Sequence, residues 1–147
     1  MPAVSETNDT TLVISGLGIP RWAARTLTES LKLIDAATQV TRSINGAALN
    51  WSQPQFQKYE LTITCTDQRV LAFDGIEAGT EVIIDIVTEL AYPAYGSPSR
   101  EVVPDSEREE GDFVFYRPRL TMLFLGFSSD TPEWEGRAGW QARFTEV

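Results

Sequence analysis

The sequence contains no histidine, and this absence restricts the chemistry that the chain can carry out. Histidine is the usual general base near neutral pH, the commonest partner of a nucleophile and the commonest ligand of transition metals. Ser-His-Asp and Cys-His catalytic sites are therefore excluded. Because Cys65 is the single cysteine, a structural zinc site within one chain is excluded as well.

Other features that the sequence lacks indicate the cellular compartment of the protein. One cysteine cannot form an intrachain disulfide, which is typical of proteins in a reducing compartment. Residues 1–10 have neither the basic start nor the apolar run of a secretion signal. No stretch approaches the roughly 20 apolar residues of a membrane-spanning helix. We therefore expect the protein to be made in the cytoplasm and to stay soluble.

Basic residues are also scarce. The chain has 12 Lys and Arg against 21 Asp and Glu, a formal net charge of −9. Phosphate backbones and anionic membrane surfaces repel such a chain. The composition therefore predicts partners that are neither nucleic acid nor membrane.

The residues that are present suffice for one globular domain. The chain has 147 residues, of which 42% are hydrophobic, with four Trp, seven Phe and four Tyr as bulky core material. The first ten residues are polar. The predicted organisation is a flexible N-terminal arm, residues 1–10, followed by a single β domain, residues 11–147.

Alternation of apolar and polar residues predicts β-strands. It is clearest at residues 56–66 and 138–147, each typical of an antiparallel strand with one solvated face. Residues 25–34 fit either a helix or a strand, and their threonine-rich alternation favours a strand. Residues 81–90 and 120–127 are apolar on both faces, which predicts strands at the centre of a sheet. Residues 11–15 indicate a further short strand.

The pair Asn45-Gly46 predicts a hairpin with a two-residue type I′ turn, in which both central residues have positive φ. In that register Val40 lies opposite Trp51 and Arg42 opposite Leu49. One apolar face of the hairpin would then consist of Val40, Ile44, Leu49 and Trp51.

A long connection, residues 92–112, is rich in Pro, Gly, Ser and charge. Connections of this length are unusual in a compact domain and tend to be functional or disordered. The predicted fold class is all-β: an antiparallel β-sandwich or partly closed β-barrel with a long loop around residues 92–112.

Carboxylates are the remaining candidates for chemistry. Glu107, Glu109, Glu110 and Asp112 cluster in the long connection but lack the ligand spacing and the sharp glycine turn of a calcium loop. Asp85, on the predicted central strand 81–90, is the only acid that we expect to be strongly perturbed, and it has no evident partner in the sequence. We therefore assign no catalytic, cofactor-binding or metal-binding residue and expect that the protein is not an enzyme.

Of the four tryptophans, Trp22, Trp51 and Trp140 are expected to pack in the core. Trp134 stands in a turn-like stretch, so we expect it to be exposed and to contact a partner. The predicted interaction residues are Trp134, Tyr92, Tyr95 and Arg100.

Several motifs carry a resemblance to a known group of proteins. They are LTESL (residues 27–31), TRSING (41–46), WSQPQFQKY (51–59) and TITCTDQ (62–68), with weaker matches in LAFDG (71–75) and FYRPRLTM (115–122). In these motifs the chain resembles a family of small, mostly uncharacterised structural proteins in the virions of tailed bacteriophages and prophages. The resemblance implies a virion component and transfers no catalytic residue.

These observations favour a non-enzymatic tail, baseplate or tail-tip component, present in several copies and bound to other virion proteins. The alternatives are a capsid decoration or head-associated protein and, from another class, a carbohydrate-binding module or glycoside-active enzyme. We expect residues 1–9 and 92–112 to contact neighbouring subunits, because both stretches are polar and lack a burial pattern.

Overall fold

A computed structural model describes residues 11–20, 22–34, 40–50 and 57–147. In these parts the chain forms β-strands joined by turns, with no helix, and every strand pairing is antiparallel. The strands are β1 (Val13–Ile14), β2 (Thr28–Leu33), β3 (Val40–Arg42), β4 (Ala48–Asn50), β5 (Tyr59–Asp67), β6 (Glu81–Asp85), β7 (Leu90–Pro93), β8 (Glu101–Val102), β9 (Arg108–Glu110), β10 (Phe113–Tyr116), β11 (Pro118–Asp130) and β12 (Ala138–Glu146).

The main sheet has seven strands in the order β1-β6-β11-β12-β5-β2, with β8 paired to the start of β11. Its inner face carries the apolar residues that the alternation predicts. The buried inner-face residues of β5, β11 and β12 are Leu61, Ile63 and Cys65, then Leu120, Met122 and Phe124, and finally Trp140, Ala142 and Phe144. The strands predicted around residues 56–66 and 138–147 are therefore confirmed, although residue 56 lies outside the described residues.

Two connections cover this inner face. Leu17, Ile19 and Ala23 come from the segment that follows β1, while Leu71 and Phe73 come from the segment between β5 and β6. All five are buried with the sheet in one core cluster. The core thus lies between a curved sheet and two long connections that carry little regular structure.

The main sheet curves without closing. Glu29 of β2 accepts hydrogen bonds from the backbone amides of Val87 and Thr88, at 2.8 and 3.2 Å, and from the Thr88 hydroxyl at 2.9 Å. Val87 follows β6, which lies at the other side of the sheet, so Glu29 joins the two sides through side-chain bonds instead of strand pairing. The predicted all-β antiparallel class is confirmed, and the described strands form no closed barrel.

A second sheet, in the order β7-β10-β9, lies at the start of β11. Its strand β10 is followed after one residue, Arg117, by β11. Between β9 and β10 the chain turns through Gly111-Asp112, with Glu110 paired to Phe113 and a φ of +63° at Gly111. A positive φ at the first central residue is the conformation that glycine supplies in a type II′ hairpin. The long loop predicted around residues 92–112 therefore contains two short strands, β8 and β9.

The hairpin at Asn45-Gly46 forms, but its turn type and register differ from the prediction. Only Gly46 has a positive φ, at +82°, and its amide donates to the Ser43 carbonyl at 2.9 Å. The Ser43 amide donates to the Ala47 carbonyl at 2.7 Å. The loop therefore has three residues and ends in a left-handed glycine, the arrangement of a type I turn followed by a G1 bulge.

The extra loop residue shifts the pairing by one position. Arg42 lies opposite Ala48 instead of Leu49, and Val40 lies opposite Asn50. Because side chains alternate along a strand, this shift separates Val40 from Leu49, and the predicted common apolar face does not form. All six strand residues are exposed, and Trp51 lies outside the described residues.

The prediction of two-sided central strands is correct for the position of β11 and wrong for β6. β11 lies between β6 and β12, whereas β6 lies beside the edge strand β1 and ends at Asp85. The outer side chain Ile83 is 46% exposed, because no described element covers the outer face there. The strand interpretation of residues 25–34 is confirmed by β2, and the strand predicted at residues 11–15 shortens to β1.

The hairpin turn supports a first prediction. Gly46→Val should destabilise the β3–β4 hairpin by about 1–3 kcal/mol, because a β-branched residue is strained at positive φ. The hairpin is a separate sheet, so this local destabilisation should appear as faster amide hydrogen exchange within it. We expect the exchange rates of the backbone amides at positions 43 and 46 to rise by roughly 10- to 100-fold. Gly46→Asn is the control, because asparagine tolerates this conformation. Equal exchange in the valine variant and the wild type would contradict the turn geometry.

Candidate functional site

In the described ranges two acidic residues are buried, Asp67 and Asp85, and both bind arginine. Asp67, at the end of β5, accepts hydrogen bonds from Nε and Nη2 of Arg25 at 3.1 and 2.7 Å and from the Arg25 amide at 3.0 Å. The Gln68 amide donates to Asp67 at 2.8 Å. The Arg25 side-chain hydrogen bonds outweigh burial and hold the pKa of Asp67 below its ordinary value.

Asp85 was expected to have no partner, and this expectation is wrong. Its carboxylate is bound by Nε and Nη2 of Arg119 at 2.7 and 3.1 Å. The two residues lie directly opposite one another on β6 and β11, so strand register brings them together. The hydrogen bonds to Asp85 raise the pKa of Arg119. Asp85 thus joins β6 to β11, and Asp67 joins β5 to the segment that carries Arg25.

Arg100, a predicted interaction residue, holds the long connection against the main sheet. Its guanidinium binds Glu146 through Nε at 2.7 Å and Nη2 at 2.9 Å, and it donates to the Gln57 carbonyl at 2.7 Å. It also lies 5.0 Å from the ring centroid of Tyr59, a cation–π contact. The bonds to Glu146 raise the pKa of Arg100. Arg100 is therefore engaged within the chain.

Tyr92 is also engaged within the chain. Its hydroxyl donates to Glu107 at 3.2 Å, and its ring meets Tyr116 edge-on with centroids 5.7 Å apart. A groove of about 280 Å³ runs along these rings. It is lined by Tyr59, Leu90, Ala91, Tyr92, Pro93, Ser97, Ser99 and Tyr116.

The acidic stretch of the long connection is partly neutralised. Arg108 binds Glu89 at 3.0 Å and Glu110 at 2.6 Å, and these bonds raise its pKa. Glu109 and Asp112 are exposed. Among the described residues no group of three or more acids, cysteines or histidines is arranged to hold a metal ion.

The two other predicted interaction residues project fully from the surface. Trp134 is 89% exposed in the connection between β11 and β12, and Tyr95 is 93% exposed just after β7. The exposure predicted for Trp134 is confirmed. Ile44, at the tip of the β3–β4 hairpin, is also fully exposed. The predicted residues therefore divide into two that point outward and two, Tyr92 and Arg100, that stabilise the long connection.

Sequence reasoning missed a third surface feature, around Trp22. Its side chain, expected in the core, is 41% exposed, and the guanidinium carbons of Arg25 and Arg69 lie 5.9 and 5.5 Å from its ring centroid. Trp22 has a φ of +63°, which is rare for a bulky residue. Its carbonyl accepts bonds from the Gln68 and Arg69 amides at 3.0 and 3.2 Å, which hold it in this conformation. Trp140, by contrast, is buried as expected.

No protein-family model, curated protein or solved structure matches the chain. In the parts of the chain that the structure describes, no helix has the length and apolar character needed to cross a membrane.

Proposed function

We propose that this protein is a non-enzymatic structural component of a tailed-phage virion, placed in the tail, baseplate or tail tip and present in several copies. The observation that carries the proposal is the pair of exposed aromatic side chains, Trp134 and Tyr95, in connections between β-strands. Exposed aromatics are costly to leave in water and are common anchors of protein interfaces.

The positions of these two tips favour assembly. Trp134 lies in the connection between Asp130, the last residue of β11, and Ala138, the first residue of β12. Tyr95 follows β7, whose end Pro93 pairs with Phe113, the residue of β10 furthest from β11. The two aromatic side chains therefore lie beyond opposite ends of the stretch of chain formed by β10 and β11. A protein that contacts neighbours at both ends suits a repeated position in a particle.

The use of the charged residues also supports a structural role. Asp67 and Asp85, which are buried, each bind an arginine from another part of the fold. The resemblance of motifs such as TITCTDQ and FYRPRLTM to virion proteins supports the phage context. Together these points favour an assembly component over a glycoside-active enzyme.

The test is to supply variants during particle assembly and to measure their incorporation by mass spectrometry. The double variant Trp134→Ser, Tyr95→Ser should enter particles at least about tenfold less than wild type, since truncating an aromatic anchor of an interface costs about 2 kcal/mol or more. The matched control, Trp134→Phe, Tyr95→Phe, keeps an aromatic ring at both positions and should enter particles normally.

Antibody against the chain should label tails, and label on heads would favour the decoration alternative. Absence of the chain from intact particles would refute the proposal.

A further inference from the structure

The exposed Trp22 forms a cationic aromatic surface with its two neighbouring arginines. We call Trp22, Arg25 and Arg69 the arginine–tryptophan platform. Two guanidinium groups lie close to one indole ring. Asp67 binds the Nε and Nη2 groups of Arg25, so the charge offered to another molecule is that of Arg69. A bulky residue is strained at positive φ, so the fold holds Trp22 in this conformation at some expense in stability.

The platform carries positive charge in a strongly acidic protein. Asp67 neutralises Arg25, but Arg69 is exposed and forms no ion pair with any residue in the described ranges. Glu135, in the connection from β11 to β12 at the same end of the sheet, is bound to Arg137. Arg69 therefore remains available to an acidic group from another molecule.

The opposite end of the molecule presents a matching surface. We call residues 109–113 together with Tyr95 the acidic tip. The Ala94 amide donates to the Asp112 carbonyl at 2.8 Å, which fixes Tyr95 beside the β9–β10 turn. Phe113 is 52% exposed and Tyr95 is 93% exposed. The tip thus combines exposed carboxylates with exposed aromatic rings, the complement of the arginine–tryptophan platform.

Chain topology places the two surfaces far apart. The Trp22 carbonyl binds the residues that follow Asp67, and Asp67 pairs with Ala138, next to the far end of β11. The acidic tip lies beyond β10, which precedes the first residue of β11. β11 has 13 residues and spans about 40 Å. One copy can therefore present its tip to a neighbour while its own platform receives another tip.

We propose that the acidic tip of one copy docks on the arginine–tryptophan platform of the next, so that copies of this chain join head to tail. The carboxylates of Glu109 and Asp112 bind the guanidinium edge of Arg69, and Tyr95 and Phe113 pack against Trp22. Such a contact uses two different surfaces and builds a ring or a filament. The inference rests on the proposed function, since it names the contact by which several copies would associate.

The test is a charge swap, read by sedimentation velocity of the purified full chain at low ionic strength. Arg69→Glu makes both surfaces acidic, and the double variant Glu109→Lys, Asp112→Lys makes both basic. Each variant alone should self-associate at least about tenfold more weakly than wild type. An equimolar mixture of the two should regain association, because every acidic surface again meets a basic one. Association of the wild type should weaken as salt is raised.

Arg143→Glu is the matched control, because it makes the same charge change at an exposed site within β12 and should leave association unchanged. Unfolding curves of all variants establish that each is folded. A wild type that stays monomeric, or a mixture that fails to recover, overturns the head-to-tail contact. Either result is compatible with antibody label on tails, so it contradicts the head-to-tail contact and leaves the proposed virion role intact. An unlabelled particle, by contrast, refutes the virion role and not the contact.

Discussion

Replacing Phe124 with alanine is expected to lower the free energy of unfolding by about 3–5 kcal/mol. Phe124 is 1% exposed on β11, at the centre of the main sheet. Its ring lies 5.5 Å from that of Phe144 and 6.3 Å from that of Phe73, measured between centroids. Truncation would leave a cavity bounded by a sheet and by the connection that carries Phe73, and a close-packed interior relaxes only partly around it.

The matched control is Phe113→Ala, which removes the same atoms from a side chain that is 52% exposed. We expect it to change the free energy of unfolding by less than about 1 kcal/mol. Urea denaturation followed by tryptophan fluorescence measures both variants, and Trp140, 5.9 Å from Phe73, reports on the core. Similar losses for Phe124→Ala and Phe113→Ala would mean that the connection over the sheet is not packed as described.

Replacing Asp67 with asparagine is expected to cost about 2–3 kcal/mol at pH 7, because it leaves the Arg25 guanidinium without its carboxylate in a largely buried site. The side chain of Asp67 is 3% exposed, whereas that of Arg25 is 44% exposed, so part of the loss is recovered by water around Arg25. Asp74→Asn makes the same charge change on an exposed loop and should have little effect.

The stability difference should depend on pH in a defined direction. Hydrogen bonds from Arg25 lower the pKa of Asp67 from its ordinary value of 3.8. A carboxylate with a lowered folded pKa stabilises fully above its unfolded pKa, and the contribution is lost as the pH falls through the folded value. The gap between wild type and Asp67→Asn should therefore be largest at neutral pH and shrink below pH 3.8. Denaturation at several pH values measures it, and a gap that grows in acid would contradict the ion pair.

The individual strands were predictable where local pattern and burial agree. β5 and β12 follow their alternation, and β2 follows its threonine-rich pattern, because a half-buried strand needs one apolar and one polar face. The exposure of Trp134 was predictable from the turn residues around it. Gly111-Asp112 carries a recognisable hairpin signal that would have divided the long connection into strands.

Register and partners required the tertiary structure. Asn45-Gly46 predicts a turn, yet a two-residue and a three-residue loop suit it equally well, and the choice between them decides which faces Val40 and Leu49 occupy. Asp67 meets Arg25, 42 residues away, and Asp85 meets Arg119, 34 residues away. Trp22 leaves the core because hydrogen bonds from the Gln68 and Arg69 amides, just after β5, hold its backbone at positive φ.

The sequence by itself therefore determined the all-β class, the main strands, the hairpin and the exclusion of histidine chemistry, because these depend on residue type and on spacing of a few positions. The tertiary structure alone decided which acids are neutralised, where the aromatic side chains emerge and which surfaces lie at opposite ends of β11. These properties depend on pairings between strands distant in the chain, and no local pattern encodes the partner of a given strand.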